Sequence, residues 1–298
     1  MIKLKANGRE RVWFYAFLSP WIIGFLAFTI VPMLTSVYYS FYKIHVFNMN
    51  VVEPTFVGFK NFKYIFEDRL FLKSIGNTFT YAIIRVPVGI IVSLLVAVLL
   101  NRKMPGTKLF RTLIYLPAMI PIVGSTIVWR QLFSNDFSLL NFLIGNIGLG
   151  PVKWSSYDNA MGSVLLMSIW CGIGPSMIIL LAALQNVPVS QMEAAELDGA
   201  NAVQKFFHIV VPMLSPTLFY LLITGIIGAL QAYAEMSLLQ MPGDSTTTMT
   251  MVVVQNMYRM DGYGIGYSSA MSWFIFFVVG LITVVFFRVT NKFVYYEG

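Results

Sequence analysis

Few side chains in this sequence are equipped for bond-making chemistry. The two histidines, His45 and His208, stand far apart, and the single cysteine, Cys171, lies inside an apolar run. No disulfide can close within the chain, and no Cys/His spacing suits a metal ion. No G-x-x-x-x-G-K-[ST] phosphate loop occurs. The reading is therefore of a non-enzyme, with no catalytic residues, no metal site and no cofactor of its own. Two charges, Arg85 and Glu235, sit within apolar segments, where charge is costly unless paired or wet. Both are expected towards the outer ends of their segments, as a pair or at the mouth of a path.

The richest stretch is polar and lies between two apolar runs: Val187-Pro188-Val189-Ser190-Gln191-Met192-Glu193-Ala194-Ala195-Glu196-Leu197-Asp198-Gly199-Ala200. Ser190 and Glu193 have capping-box spacing, which predicts a helix starting at Ser190. Gly199 can take the left-handed conformation that ends it. Asn201 is placed to cap a second short helix through Phe206, Phe207, Ile209 and Val210 to Pro212. The small side chains of Ala194 and Ala195 would let another backbone approach closely. The plainer alternative is an amphipathic connector lying on a membrane surface.

The elements that must hold this segment are apolar. Of 298 residues, 57% are hydrophobic and 11% charged, against roughly a quarter charged in a soluble domain. Lipid must be part of the solvent. The formal charge of +7 is scattered among apolar runs, with no basic patch for nucleic acid. A spanning helix needs about 20 mostly apolar residues. Six segments qualify: Phe14–Ser36, Ile75–Leu100, Leu113–Leu132, Ala160–Leu184, Leu214–Leu239 and Tyr267–Phe287. The first is too long for a signal-peptide core and is read as a retained span. The short loop Asn101–Thr112 carries Arg102, Lys103, Lys108 and Arg111 and no acid, which places it and both termini in the cytoplasm. The expected class is thus all-α and integral to the membrane, a single domain over residues 1–298 with six transmembrane helices. The loop 185–213 would be cytoplasmic, and Tyr38–Ser74, Phe133–Asn159 and Gln240–Gly266 external.

The order Glu193-Ala194-Ala195, Gly199, then Ile209-Val210-Val211-Pro212 resembles the EAA loop of ATP-binding-cassette (ABC) importer permeases, with Val211 in place of the usual leucine. Phe56-Val57-Gly58-Phe59-Lys60-Asn61-Phe62, Asn77-Thr78, Leu116-Pro117, Asp198-Gly199-Ala200 and Gly266-Tyr267-Ser268-Ser269-Ala270 extend the resemblance over nearly the whole chain. It points to the MalF-like subunit of carbohydrate importers. One departure follows the fifth segment, where Gln240-Met241-Pro242-Gly243-Asp244 replaces a common Thr-x-Gly-Gly-Pro.

The resemblance implies a type I ABC importer fold in a prokaryotic cell membrane. Its partners would be a second, MalG-like permease, two copies of an ATPase subunit holding ATP and Mg, and an extracellular solute-binding protein. Coupling to the ATPase would fall to Glu193, Ala194, Ala195, Asp198 and Gly199. The carbohydrate path would be lined by Cys171, Gly172 and Pro175 in the fourth span. In the fifth, Gly225, Gly228, Ala229 and Ala232 would form one helical face, with Gln231 and Tyr233 beside it. That stripe of small residues fits close helix packing equally well. A roomy path would suit an oligosaccharide. A glycerol-phosphate or polyol cargo, or a secondary transporter, are the alternatives.

Overall fold

The computed structural model describes residues 8–44, 46–47, 50–51, 54–102, 105–134, 139–258 and 264–290. His45 and Lys103, both used in the sequence reading, lie outside them. The described chain is mostly helical, with two short antiparallel ribbons, Tyr42–Lys43 with Thr55–Phe56 and Val46–Phe47 with Asn50–Val51. Five helices are long and apolar enough to cross a membrane, and a bent pair makes a sixth span if counted as one.

The chain divides into two compact units. The first comprises residues up to Glu67 together with Val253–Phe274. It contains the first span, α1 (Val12–Ser40), and the outer loop with the ribbons. Asn61 Nδ2 donates to the Ser40 and Tyr42 carbonyls, both at 2.9 Å, and so closes that loop onto the end of α1. A Cβ at Gly266 would collide with the Tyr42 carbonyl, so only glycine fits that approach.

The second unit comprises Asp68–Val252 and the residues from Ile275. Its long helices are α2 (Arg69–Asn101), α3 (Thr107–Met119), α4 (Ile122–Leu132) and α5 (Ala160–Gln185). A short helix, α6 (Val189–Leu197), leads into α7 (Ala202–Leu230). Asp68 caps α2 by accepting from Leu70 N and Phe71 N. Arg111 donates to the Leu100 carbonyl at 2.9 Å and covers its far end. An apolar core joins Ala97 and Leu100 of α2, Met177, Leu180, Leu181 and Leu184 of α5, and Val210, Leu214 and Leu221 of α7.

Prolines explain where the helices depart from the sequence reading. The expected third span, Leu113–Leu132, breaks at Ile120–Pro121 into α3 and α4, bent by 98°. Proline forces the residue before it out of the helical region, and Ile120 is extended at ψ 130. Π-helical turns occupy Leu26–Ile30 and Phe206–Val210. Each ends just before the same tetrapeptide, Val-Pro-Met-Leu, at Val31–Leu34 and Val211–Leu214. A proline cannot donate to the carbonyl four residues back, and its ring crowds that carbonyl. The chain widens to an i to i−5 bond instead: Val31 N–H reaches Leu26 O, and Val211 N–H reaches Phe206 O.

Two further boundaries differ. The short helix α6 starts at Val189 with Pro188 as its N-cap and no side-chain cap, so the Ser190–Glu193 box does not form. Proline is pre-set for the entry to a helix and needs no donor there. The capping box belongs to Asn201 and Gln204. The helix they open is not short, since it runs unbroken through the π turn to Leu230. The fifth span therefore ends nine residues before Leu239, and Ala234–Leu239 forms a separate turn of helix.

Two glycines test how tightly these helices meet. A Cβ at Gly174 would lie 2.8 Å from the Ile114 carbonyl oxygen and 2.8 Å from Tyr115 Cα, both backbone, whereas nothing stands within 4 Å of one at Gly228. Gly174→Ala should cost about 1–3 kcal/mol through overpacking, while Gly228→Ala should be close to neutral. Thermal unfolding followed by size-exclusion of detergent-solubilised protein checks both. Equal midpoints for the two variants would contradict this packing.

Candidate functional site

Arg85 stands midway along α2, sixteen residues from either end, or about 24 Å at the helical rise. It is not near the outer end, as the sequence reading expected. Its guanidinium lies 5.9 Å from the Tyr81 ring and beside Gly172, where a Cβ would come within 3.6 Å of Nη2. It opens on a cavity of about 380 Å³ walled by α2, α4, α5 and α7. Cys171, Gly172 and Pro175 line it from α5, Thr224 and Gly225 from α7. Glu235 lines the same cavity, yet the ion pairs among the described residues are Lys63–Glu67 and Lys205–Glu196, so Arg85 and Glu235 share a space without pairing.

The cavity region carries buried polar atoms. Among the described residues Arg85 Nε is buried without an acceptor, while the Tyr81 and Ser168 hydroxyls face one another and the Ser125 hydroxyl faces the Cys171 thiol, at the margin of hydrogen-bond geometry. Pro175 also has no N–H for the Cys171 carbonyl, which loses its ordinary helical donor beside the cavity. These serines and Tyr81 were missed by the sequence reading. The signal was present: Tyr81, Arg85 and Gly89 in α2, and Ser168, Gly172 and Ser176 in α5, each recur at four-residue spacing on one face of an otherwise apolar helix.

The second feature is the polar segment between α5 and α7. Met192 of α6 packs against the apolar core, while Val189, Glu193 and Leu197 form the opposite, exposed face, Leu197 being 90% exposed. Asp198 and Gly199 close the helix, Gly199 at φ 81. Ala194 is exposed and Ala195 partly buried. Across the hinge, Lys205 is ion-paired with Glu196, its own side chain largely covered. Asn201 and Gln204 complete a reciprocal cap at 2.9 and 2.8 Å. The hinge is therefore braced on both sides, and α7 leaves it carrying Leu221, Thr224 and Gly225 to the cavity wall.

Residues 86–294 match the family described as binding-protein-dependent transport system inner membrane component. The chain belongs to that family. It is 37% identical to a probable ABC transporter permease, YesP, of Bacillus subtilis, over 100% of this chain and 96% of that one. It is 31% identical to the arabinooligosaccharides transport permease AraP of Halalkalibacterium halodurans, over 94% and 88%. The fold matches structures of a bacterial ABC transporter that imports the acidic polysaccharide alginate, alone and with an alginate-pentasaccharide-bound periplasmic protein. There the TM-score is 0.82 at 24% identity, over 95% of this chain and 96% of that one. This is a multi-pass membrane permease of an ABC importer.

Not all the residues expected on this permease's path meet at the cavity. Cys171, Gly172, Pro175 and Gly225 line it. Ala229 and Ala232 are buried, at 1% and 5% exposure, and Gly228, Gln231 and Tyr233 are exposed away from its lining. The expected single face fails because α7 ends at Leu230, and Ala232 lies beyond it. Gly225 serves packing as well, since a Cβ there would come within 2.9 Å of Val86.

The segment after α7 also departs from a free external loop. Ser245–Thr248 are buried. Asn77 Nδ2 donates to the Asp244 and Thr247 carbonyls at 2.8 and 3.0 Å, and Thr78 Oγ1 accepts from Met249 N at 3.0 Å. Tyr157 donates to Asp244 Oδ1 at 2.6 Å. That hydrogen bond, then desolvation and the carboxylate's charge, raises the Tyr157 pKa. The tie is accordingly present below the ordinary tyrosine range and is lost as pH climbs through the raised value. Asn77→Leu should strand the buried Thr247 carbonyl, leave the Asp244 carbonyl with only Thr247 N, and destabilise the permease by roughly 1–3 kcal/mol. Limited proteolysis should then cut near Pro242–Thr248 in the variant and spare the wild type. Equal resistance of both would show that Asn77 does not hold the loop.

Proposed function

We propose that this chain forms one half of the translocation path of a carbohydrate ABC importer, with both termini cytoplasmic. A second permease supplies the other half. An extracellular solute-binding protein delivers the cargo, and two ATPase subunits carrying ATP and Mg drive the cycle. The cavity at Arg85, Cys171, Gly172, Pro175 and Gly225 belongs to the cargo path, and an oligosaccharide is the favoured cargo. The carbohydrate assignment draws on the named relative AraP and on the alginate importer that shares the fold.

The observation that carries the coupling role is the unbroken run of α7. The exposed Glu193, Ala194 and Asp198 at α6, with the partly buried Ala195 beside them, form the docking element for the ATPase. Gly199 is its hinge. Thr224 stands 22 residues beyond Ala202 on one helix, about 33 Å, so a tilt passed across Gly199 reaches the cavity wall without a further break. The Glu196–Lys205 ion pair keeps the hinge from absorbing the movement.

Glu193→Lys reverses a charge on the docking face, and Gly199→Val places a β-branched side chain where φ is 81. Both variants should insert normally, bind the ATPase less well and lose cargo-stimulated ATP hydrolysis in proteoliposomes. Full stimulated hydrolysis and uptake in both would refute the coupling role. The isolated chain, reconstituted with ATP, should move no sugar, and uptake by it alone would favour a secondary transporter.

A further inference from the structure

We infer that the α2–α5–α7 cavity receives a carboxylate of the cargo, that of a uronic-acid unit, and that Arg85 is the residue that holds it. The inference rests on reading this cavity as part of the carbohydrate path. It goes beyond that reading by assigning the cargo a charge.

The argument begins with Arg85. A cation at the middle of a 33-residue apolar helix is expensive unless it is paired or wet. Among the described residues Arg85 has no ion pair, and its Nε is buried with no acceptor. A structural arginine would be satisfied by its own protein, as buried polar groups ordinarily are. Here the planar fork, which suits a carboxylate bidentately, opens on the cavity instead. A smaller cavity of about 50 Å³ continues along the same side chain and is also lined by Ser168, Gly172 and Ser176.

The neighbours fit a sugar acid. Ser168 is 2% exposed and Tyr81 is 0% exposed, and their hydroxyls face one another beside the guanidinium. Hydroxyls can donate to an anion or exchange hydrogen bonds with sugar hydroxyls. Glu235 shares the same cavity, where its charge opposes that of an anionic cargo. Charge count selects the kind of anion. The lining offers one cation against one carboxylate. That lining is already neutral, so a carboxylate leaves one excess negative charge and a phosphate ester about 1.5 to 2, which makes the carboxylate the less costly anion. The volume lies in the range of small-molecule sites, roughly 300–1,000 Å³.

The test uses the complex of this chain with its own partner permease and ATPase, without the binding protein, so that delivery does not set the selectivity. Equilibrium dialysis would compare three probes: a uronic-acid trisaccharide, the same trisaccharide with its carboxyls reduced to alcohols, and a neutral trisaccharide bearing one phosphate ester. Wild type should bind the uronide about ten- to a hundredfold tighter than the reduced form, the range for a hydrogen-bonded charge, and tighter than the phosphate ester. Arg85→Gln should abolish the preference, Arg85→Lys should retain part of it, and Glu235→Gln should bind the uronide no more weakly than wild type. No preference in wild type, a preference for the phosphate ester, or a preference that survives Arg85→Gln overturns the inference. So does loss of assembled complex in both Arg85→Gln and Glu235→Gln, which would make the two charges a structural pair. Equal binding of uronide and reduced sugar removes the charge assignment and leaves the carbohydrate reading standing. Failure to bind any of the three removes both.

Discussion

Everything in this structure answers to one requirement: inside lipid, each backbone N–H and C=O must find its partner within the protein. The chain tests that requirement repeatedly by placing prolines in its apolar helices. Each proline releases the carbonyl four residues back, and the released groups are handled in different ways. Ser19 Oγ donates to Ala16 O at 2.9 Å, covering the carbonyl freed by Pro20. Before Pro32 and Pro212 the helix widens into a π turn. At Pro121 it gives up and bends. At Pro175 the carbonyl that loses its donor belongs to Cys171, a lining residue of the cavity. A ligand rich in hydroxyls can supply the donor that proline lacks.

The same requirement shapes the end of α7. Once the helix stops at Leu230, the following groups need partners that lipid cannot give. The Ala232 carbonyl receives Thr248 Oγ1 at 2.7 Å, and Ala232 N reaches Ala229 O at 3.2 Å. The segment therefore has to fold back, and the threonines that look like a solvated loop are buried. The break also lets Glu235 reach the cavity from a separate turn of helix rather than from the continuation of α7. A straight helix to Leu239 would have left that carboxylate on whichever face the helical period dictated.

Much of this was legible in the sequence because it depends on composition and on short-range chemistry. Apolar length located the spans, Gly199 announced its left-handed turn and Asn201 its cap, since each of these is decided within a few residues. What failed depends on competition between neighbours. Ser190 and Glu193 have the right spacing for a cap, but Pro188 already sets the helix entry one residue earlier. Leu113–Leu132 is apolar throughout, so hydropathy alone sees one span, and the bend comes from the backbone restriction at Ile120–Pro121. The cavity was half legible. Small residues marked the α5 wall, but a glycine reads the same whether it faces open space, as Gly228 does, or a neighbouring backbone, as Gly174 does. Only the fold separates the two uses.

That ambiguity also explains why the polar residues are the better guide to the path. A buried hydroxyl or guanidinium without a partner carries a cost that packing cannot repay, so its presence demands a reason in a way that a small residue does not. Tyr81, Arg85 and Ser168 lie on two helices tied together by Ser93, whose Oγ donates to Gly89 O in α2 at 2.7 Å and reaches Ile173 O in α5 at 3.4 Å. The walls that bear these groups are thus fixed relative to each other. The third wall, α7, is the one that continues into the hinge at Gly199. The unsatisfied guanidinium thus sits on one of two helices packed together, while the third wall runs on without a break to the left-handed turn at Gly199.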